Sequence, residues 1–459
     1  MRFLFLTLYG FETDFYGRVS HELVGRGHEA VHVTWSRRGA QRLRRLGLGA
    51  HVLPELLAAV GEGRDLADEG RRVEGRYDMR SLRDVYRTDW PLEGRPEEEA
   101  IQRTVRHFLA LEQVFDEVRP DVVVPEVGSE TMRTAAHLIA LDRGIPALFL
   151  FYTIFPRPLR LYRDTMHAPI VTPEEVRALT DDERAHVQGF VAEFIERDRP
   201  IREYRRPRVH AGTLRDFAGH VTRSALWDRD NEYLRPHRFV TNYAREKARA
   251  RLARRFYEPV GDMPRPFVYF PLHGVDDYKI RRVIPHCYDQ AAIIELIAES
   301  LPQGVDLLLK EHPMSVGRNP PTLLHRLSRR TNVRLVDPFT SSHQLIRRAQ
   351  AVAVISSTVG LEALLHGRPV LTCGQPFYAG YGVTVDVDSF RELPDAVTRV
   401  LAFRPAPERT LRFLGAAMRA CRPGKPALVD SSPENALVLA ASLDTAVSDT
   451  TDRRTLVPA

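Results

Sequence analysis

Apolar residues in this chain fall into two kinds of pattern. Short runs with little polar alternation lie at Arg2–Leu8, Ala30–Thr34, Asp121–Pro125, Ala147–Phe151, Phe267–Pro271, Val305–Leu309 (Asp306 being one interruption), Val333–Val336, Ala351–Ile355 and Pro369–Thr372. Such runs predict strands buried on both faces, as in parallel sheets. Between them, helical spacing covers Phe15–Arg26, where Val19, Leu23 and Val24 share a face before Gly27. It also covers Glu98–Val118, with Ile101, Val105, Phe108, Leu109, Leu111 and Phe115. Further helices are predicted at Thr131–Arg143, Tyr288–Ser300, Pro321–Arg330, Ser342–Ala349 and Val359–His366, with Gly144 and Gly367 closing two of them. Alternating strands and helices predict an α/β fold of two Rossmann-like, doubly wound halves facing across a cleft.

The pattern divides the chain into four segments. Residues 1–155 form a first Rossmann-like domain, although Arg37–Pro96 is Arg-, Glu- and Gly-rich with weak periodicity. Residues 156–262 read as a helical, Arg-dense insertion interleaved with Tyr162, Phe190, Tyr204, Trp227, Tyr233 and Tyr243. Pro259, Pro264 and Pro266 mark a linker, 263–405 a second Rossmann-like domain, and 406–459 C-terminal helices and a tail.

Length supports this division, because 459 residues exceed one ordinary core. With 43% hydrophobic and 27% charged residues the chain reads as globular and soluble. Lys+Arg exceeds Asp+Glu by six (66 against 60), mostly through Arg. That excess fits an anionic small ligand, an anionic polymer or peripheral contact of the basic helical region with a membrane surface. No nucleic-acid-binding motif accompanies it. Cys287, Cys373 and Cys421 are too sparse for a disulfide framework or a metal pattern, which favours a reducing cytoplasm. The apolar start runs into Tyr9, Gly10, Glu12 and Asp14 and reads as a strand, not a signal peptide. No run reaches the roughly eighteen residues of a membrane-spanning helix.

Candidate chemistry sits at strand exits. Lys310-Glu311-His312-Pro313 follows one buried run and Ser356-Ser357-Thr358 another. Pro313 holds His312 extended, so its imidazole could stabilise charge on a leaving phosphate. An N-cap needs one hydroxyl; three in a row at a helix start fit phosphate binding as well. Glu362 lies one helical turn past Thr358 and could meet ribose hydroxyls, or merely suit the helix dipole. Gly374, Gln375 and Tyr378 shape a loop that could wall a cleft. At His273-Gly274 the glycine permits close backbone approach to a ligand.

In the first half Asp14, Glu126 and Glu130 are the carboxylates near strand ends. Glu126 is the preferred general base, because it ends a strand and Gly128 leaves room beside it; Asp14 is second. Ordinary solvated acids would look much the same.

The strings FVYFPLH, YDQ, KEHP, NVRLV, SSTVGLEALLHGRPVL and GQPFYAGYG, between Phe267 and Thr384, resemble the bacterial capsule polysaccharide synthesis proteins, which include β-Kdo transferases. That resemblance implies a GT-B fold, with the donor nucleotide in the C-terminal domain and the acceptor mainly on the N-terminal one. The His-Pro and Ser-Ser/Thr pairs also resemble those of bacterial sialyltransferases using CMP-sugars. By that likeness His312, Ser356 and Ser357 address the nucleotide phosphate. The N-terminal half departs from the family, offering Glu126-Val127-Gly128 where relatives carry an acidic pair before Gly. That departure leaves both stereochemical routes open: an inverting single displacement through Glu126, which is preferred, and a retaining route through a covalent carboxylate intermediate.

The expected function is a metal-independent, cofactor-free glycosyltransferase moving a sugar from a nucleotide donor, CMP-Kdo or a related CMP-sugar, to a capsule polysaccharide or glycolipid acceptor. It would work in the cytoplasm or at the inner face of the membrane. Two alternatives share the sequence features. One is a sugar-nucleotide epimerase or polyol-phosphate transferase of the same fold. The other is a non-enzymatic polysaccharide-binding component using Arg205 and Arg206 in the basic region.

Overall fold

The computed structural model describes residues 1–60, 65–167, 169–197, 231–261 and 265–452, with scattered positions between 215 and 229. Tyr204, Arg205, Arg206, Trp227 and Pro264 lie outside the described residues. The chain forms two compact units, the first from 1–166, 210–239 and 421–459 and the second from 167–209 and 240–420. Both the 156–262 stretch and the 406–459 stretch, each read as one segment in the sequence, therefore contribute to both units.

The first unit runs β1 (Arg2–Thr7), α1 (Gly10–Gly25), β2 (Glu29–Thr34), α2 (Arg37–Arg45), β3 (Gly49–Val52), α3 (Leu53–Ala59), α4 (Leu66–Arg76), α5 (Arg83–Tyr86), α6 (Glu97–Val118), β4 (Val122–Val124), α7 (Thr131–Asp142), β5 (Leu148–Tyr152) and β6 (Leu159–Arg163). Its main sheet is parallel in the order β3-β2-β1-β4. β1 has neighbours on both sides, and Phe3, Leu4, Phe5 and Leu6 are fully buried. The C-terminal helix, Pro433–Asp452, joins this core: Leu439, Ala440 and Leu443 cluster with Phe3, Phe15, Val19 and Leu23. Asp444 secures it by accepting from Arg26 at 3.2 Å and pairing with His28 at 3.0 Å.

Two elements differ from the sequence reading. Helix α1 starts at Gly10, not Phe15, because Glu12 reaches back to accept from the Leu8 and Tyr9 amides at 2.8 and 3.3 Å. That satisfies donors the first turn would otherwise leave open. The strand at Ala147–Phe151, expected in a parallel sheet, pairs antiparallel with β6 and meets β4 only through one Val123–Ala147 bridge. β6 itself falls in the stretch read as helical.

The second unit contains α8 (Asp181–Glu196), most of α9 (Pro236–Ala253), β7 (Phe267–Pro271), α10 (Gln290–Ser300), β8 (Asp306–Lys310), α11 (Pro321–Ser328), β9 (Val333–Val336), α12 (Ser342–Arg348), β10 (Ala351–Val354), α13 (Thr358–Leu365), β11 (Val370–Thr372), β12 (Val385–Asp386), α14 (Leu393–Ala402) and α15 (Pro407–Ala420). All six strands are parallel, in the order β12-β11-β10-β7-β8-β9. The sheet core is aliphatic, with Leu307, Leu309, Ala351, Ala353 and Leu371 fully buried. The expected α/β class and pair of Rossmann-like parallel sheets are therefore present. No helix among the described residues is long and apolar enough to cross a membrane.

Strand order places the chemistry. In the first unit the chain winds outward from β1 to β3 and returns to β4 on the other side of β1. In the second it winds from β7 to β9 and returns to β10 on the other side of β7. Each reversal is a topological switch point, where adjacent loops diverge and leave a crevice at the strand carboxyl ends.

Candidate functional site

At the second unit's switch point the loops after β7 and β10 are tied together by His273. Its Nε2 accepts from the Ser356 amide at 3.1 Å, so the ring proton of the neutral form sits on Nδ1. That nitrogen donates to Asp277 Oδ2 at 2.8 Å. Burial opposes the charge on Asp277, but the bond from His273 prevails and holds its carboxyl down at about 2. His273 is thus the link between two strand ends, with both ring nitrogens engaged. Gly274 has the close approach expected of it, though to protein: a Cβ there would sit 2.7 Å from Ser315 Oγ. The β7 loop consequently packs on the turn that follows His312.

His312 is exposed beyond β8, with extended backbone (φ −65°, ψ 131°) and Nδ1 accepting from the Met314 amide at 3.2 Å. In its neutral form the proton then lies on Nε2, the nitrogen able to donate to a ligand. One strand, β7, separates β8 from β10. Two interstrand spacings of about 4.8 Å put the two strand ends roughly 10 Å apart.

Of the three hydroxyls, only Ser357 caps α13, accepting from Val359 N at 3.2 Å. The Ser356 and Thr358 hydroxyls make no hydrogen bond among the described residues. Capping thus explains one hydroxyl of three. The Ser356 carbonyl accepts from Lys279 Nζ at 3.1 Å, an ammonium that sequence reasoning missed. Burial lowers the Lys279 pKa. Its only sequence signal was a short basic run, Lys279-Ile280-Arg281-Arg282, between the predicted strand at Phe267–Pro271 and the predicted helix at Tyr288–Ser300.

Other expected site residues are engaged by the scaffold. Glu311, 1% exposed, accepts from Tyr257 and, at 2.5 Å, from Asn319. Lys310 donates to the Thr340 carbonyl at 2.9 Å and to Ser342 Oγ at 2.8 Å. Burial lowers its pKa to about 8, against the pull of Glu362. Burial likewise raises Glu362 to about 7, against Lys310, and Glu362 Oε2 has no hydrogen-bond partner among the described residues. Tyr378 is fully buried and donates to the Ser357 carbonyl at 2.5 Å. It packs so closely that a Cβ on Gly360 would lie 2.0 Å from its hydroxyl. Gln375 is exposed and pairs with His167 Nδ1 at 3.2 Å.

The first unit's switch point is anionic. Glu126 follows β4 in a left-handed conformation (φ 62°), which costs a residue with a Cβ about 1–2 kcal/mol. It is 6% exposed. Oε2 accepts from Val127 N at 3.2 Å, while Oε1 is buried with no hydrogen-bond partner among the described residues. Burial raises its carboxyl to about 7, partly offset by Arg133. Arg133 reaches Glu12 at 3.1 and 3.2 Å, Glu130 at 3.2 Å and the Val127 carbonyl at 2.9 Å. Gly128 packs against Glu130 and Arg133: a Cβ there would fall 2.0 Å from Glu130 Oε2 and 2.6 Å from an Arg133 nitrogen.

Buried Asp89 anchors this loop, accepting from Thr131 N at 3.0 Å and Thr131 Oγ1 at 2.5 Å. Asp14 is not part of the cluster; it accepts from Arg42 Nε at 2.5 Å, and its side chain is 39% exposed. Sequence reasoning missed Glu12 and Arg133. The available signal was Glu130 three residues before Arg133 on a helix, the spacing at which side chains meet.

Comparison with known proteins agrees with the family likeness seen in the sequence. Residues 211–402 match the family described as capsule polysaccharide biosynthesis protein, and that stretch carries the second switch point. The chain is 27% identical over 171 residues to Protein FixF of Sinorhizobium fredii, covering 36% of this chain and 40% of that protein. It is 33% identical over 115 residues to the capsule polysaccharide modification protein LipA of Neisseria meningitidis serogroup B, covering 24% and 16%. The chain thus spans less than half the length of these curated relatives. Among solved structures, the β-Kdo 2,4 transferase of Thermosulfurimonas dismutans KpsC is similar at 17% identity and a TM-score of 0.38, over 65% of this chain and 79% of that one.

Proposed function

We propose that this protein is a glycosyltransferase of capsule polysaccharide biosynthesis. In this reading a CMP-linked acid sugar, CMP-Kdo or a relative, is the donor, and a surface polysaccharide or glycolipid is the acceptor. The observation that carries the reading is the switch point between β7 and β10. There, hydroxyls left over from capping stand at the start of α13, beside the Lys279 ammonium and one strand away from the His312 imidazole. Hydroxyls, exposed amides and cationic nitrogens are what a phosphate needs.

His312 Nε2 would donate to the phosphate oxygen that gains charge as the sugar–phosphate bond breaks. Glu126 would take the proton of the attacking acceptor hydroxyl. A carboxyl near 7 is suited to that work at neutral pH. No metal or cofactor enters the proposal. The protein would act in the cytoplasm or against the inner membrane face, with the basic helical region in peripheral contact.

Thermal unfolding of the full chain with CMP, UDP, GDP and CDP tests the donor assignment. CMP at a hundred times its dissociation constant should add about 2.7 kcal/mol. Stabilisation by UDP or GDP and not CMP would transfer the reading to another donor. No stabilisation by any of the four would remove it.

A further inference from the structure

The first unit's switch point holds three carboxylates, Glu12, Glu126 and Glu130, and one guanidinium, Arg133. Charge alone would let Arg133 pair with any of them. Glu12 takes it with both oxygens, at 3.1 and 3.2 Å, while its Oε2 is itself fixed by the Leu8 and Tyr9 amides. Glu130 takes one further bond, and the Val127 carbonyl another. No hydrogen bond or ion pair connects Arg133 to Glu126, whose Oε1 is left buried without a hydrogen-bond partner among the described residues. A strained left-handed backbone keeps the carboxyl there. A purely structural cluster would gain by letting the guanidinium satisfy that oxygen, since an unsatisfied buried polar group costs about 1–3 kcal/mol.

We infer that Glu12 and Arg133 are positioning residues: by clamping the guanidinium, Glu12 keeps one oxygen of Glu126 open to accept an incoming hydroxyl. The inference rests on the reading of Glu126 as the base. The charged groups acting on Glu126 are Arg133 and Glu130 at the start of α7 and Glu12 at the start of α1; Tyr9 acts on Glu130, Glu12 and Arg133, and Asp89 on Glu130.

The arrangement makes opposite demands on two variants. Glu12→Gln preserves shape and can still accept from the Leu8 amide, but it frees Arg133 to turn toward Glu126. Arg133→Met removes the cation and leaves the carboxylates repelling one another. The protonation midpoint of Glu126 is read from unfolding free energies of the full chain between about pH 4 and pH 9. Each protein is compared with its own Glu126→Gln partner, so that other titrations cancel. Glu12→Gln should lower the midpoint by about one pH unit or more, Arg133→Met should raise it, and Arg133→Lys should keep it near the wild-type value.

A midpoint unmoved or raised in Glu12→Gln overturns the inference. If Arg133→Met fails to fold, Glu12→Gln and Arg133→Lys decide the matter. Because the readout needs no substrate, a chain that titrates as expected but transfers no sugar would sink the glycosyltransferase reading and leave the positioning intact. An active enzyme whose midpoint ignores Glu12 would do the reverse.

Discussion

The two parallel sheets use one topological device to opposite electrostatic ends. At the β1/β4 reversal, three carboxylates surround a single guanidinium that bonds two of them, and burial pushes Glu126 and Glu130 upward. At the β7/β10 reversal imidazoles, hydroxyls and ammonium groups stand beside the Asp277 and Glu362 carboxyls, and burial pushes Lys279 and Lys310 downward. A switch point supplies a crevice and exposed helix amides whatever the sequence. Which ion it welcomes is then set by a handful of side chains just past the strands. In the proposed reaction the first crevice would receive a proton and the second an anion.

The sharpest way to break this contrast is to neutralise the first site alone. Glu126→Gln should cost about a hundredfold or more in transfer rate while leaving CMP stabilisation intact; equal activity would remove Glu126 as the base. In the wild type, activity should rise with pH through about 7, since the base works deprotonated. Stability should move the other way. The folded-state carboxyl is raised above its unfolded value, so the unfolded chain ionises first as pH rises above about 4.5. Stability then falls up to about pH 7, by roughly 3 kcal/mol at most, and levels off. Glu126→Gln should remove that portion of the slope, with Glu362 supplying a remainder.

A somewhat smaller effect tests the frame of the second site. Gly360→Ala drives a methyl against the buried Tyr378 hydroxyl and should cost about 1–3 kcal/mol in chemical denaturation. Tyr378→Phe, which removes one of two donors to the Ser357 carbonyl and leaves the Gly360 amide at 3.2 Å, should cost about 1 kcal/mol and weaken nucleotide stabilisation in proportion. Nucleotide binding untouched by either change would separate the α13 start from the donor site. Comparable in size is His312→Ala, expected to lower turnover at least tenfold, about 1.4 kcal/mol, with a modest fall in melting temperature, because the exposed side chain also accepts from the Met314 amide. Unchanged turnover would leave the second site a binding surface with no part in the chemistry.

Much of the second unit was legible in the chain. Five of its six strands are short, mostly apolar runs whose assigned ends agree with the structure to within a residue or so; the two-residue β12 was not read. Because local periodicity reports burial directly, the strand-exit positions of His273, His312 and Ser356 followed. Their division of labour did not. Glu311 and Tyr378 read as ligand groups, yet each has a protein partner distant in sequence, Glu311 at Asn319 and Tyr257, Tyr378 at Ser357. The first unit was less readable. β3 lies in a stretch with weak periodicity, and β5 turned back on β6 because a hairpin partner was nearer than a parallel one.

Composition and spacing alone determined the α/β class, the two parallel sheets and the strand exits where polar residues gather, since these depend on interactions between near neighbours. Only tertiary structure decided that the C-terminal helix completes the first core, that Asp14 pairs with Arg42 and stays out of the acidic cluster, and that Glu12, Glu126 and Arg133 meet. Those outcomes depend on contacts between residues far apart in the chain, from 28 positions for Asp14 and Arg42 to 121 for Glu12 and Arg133. Such pairing is a property of the folded field and leaves no period in the sequence.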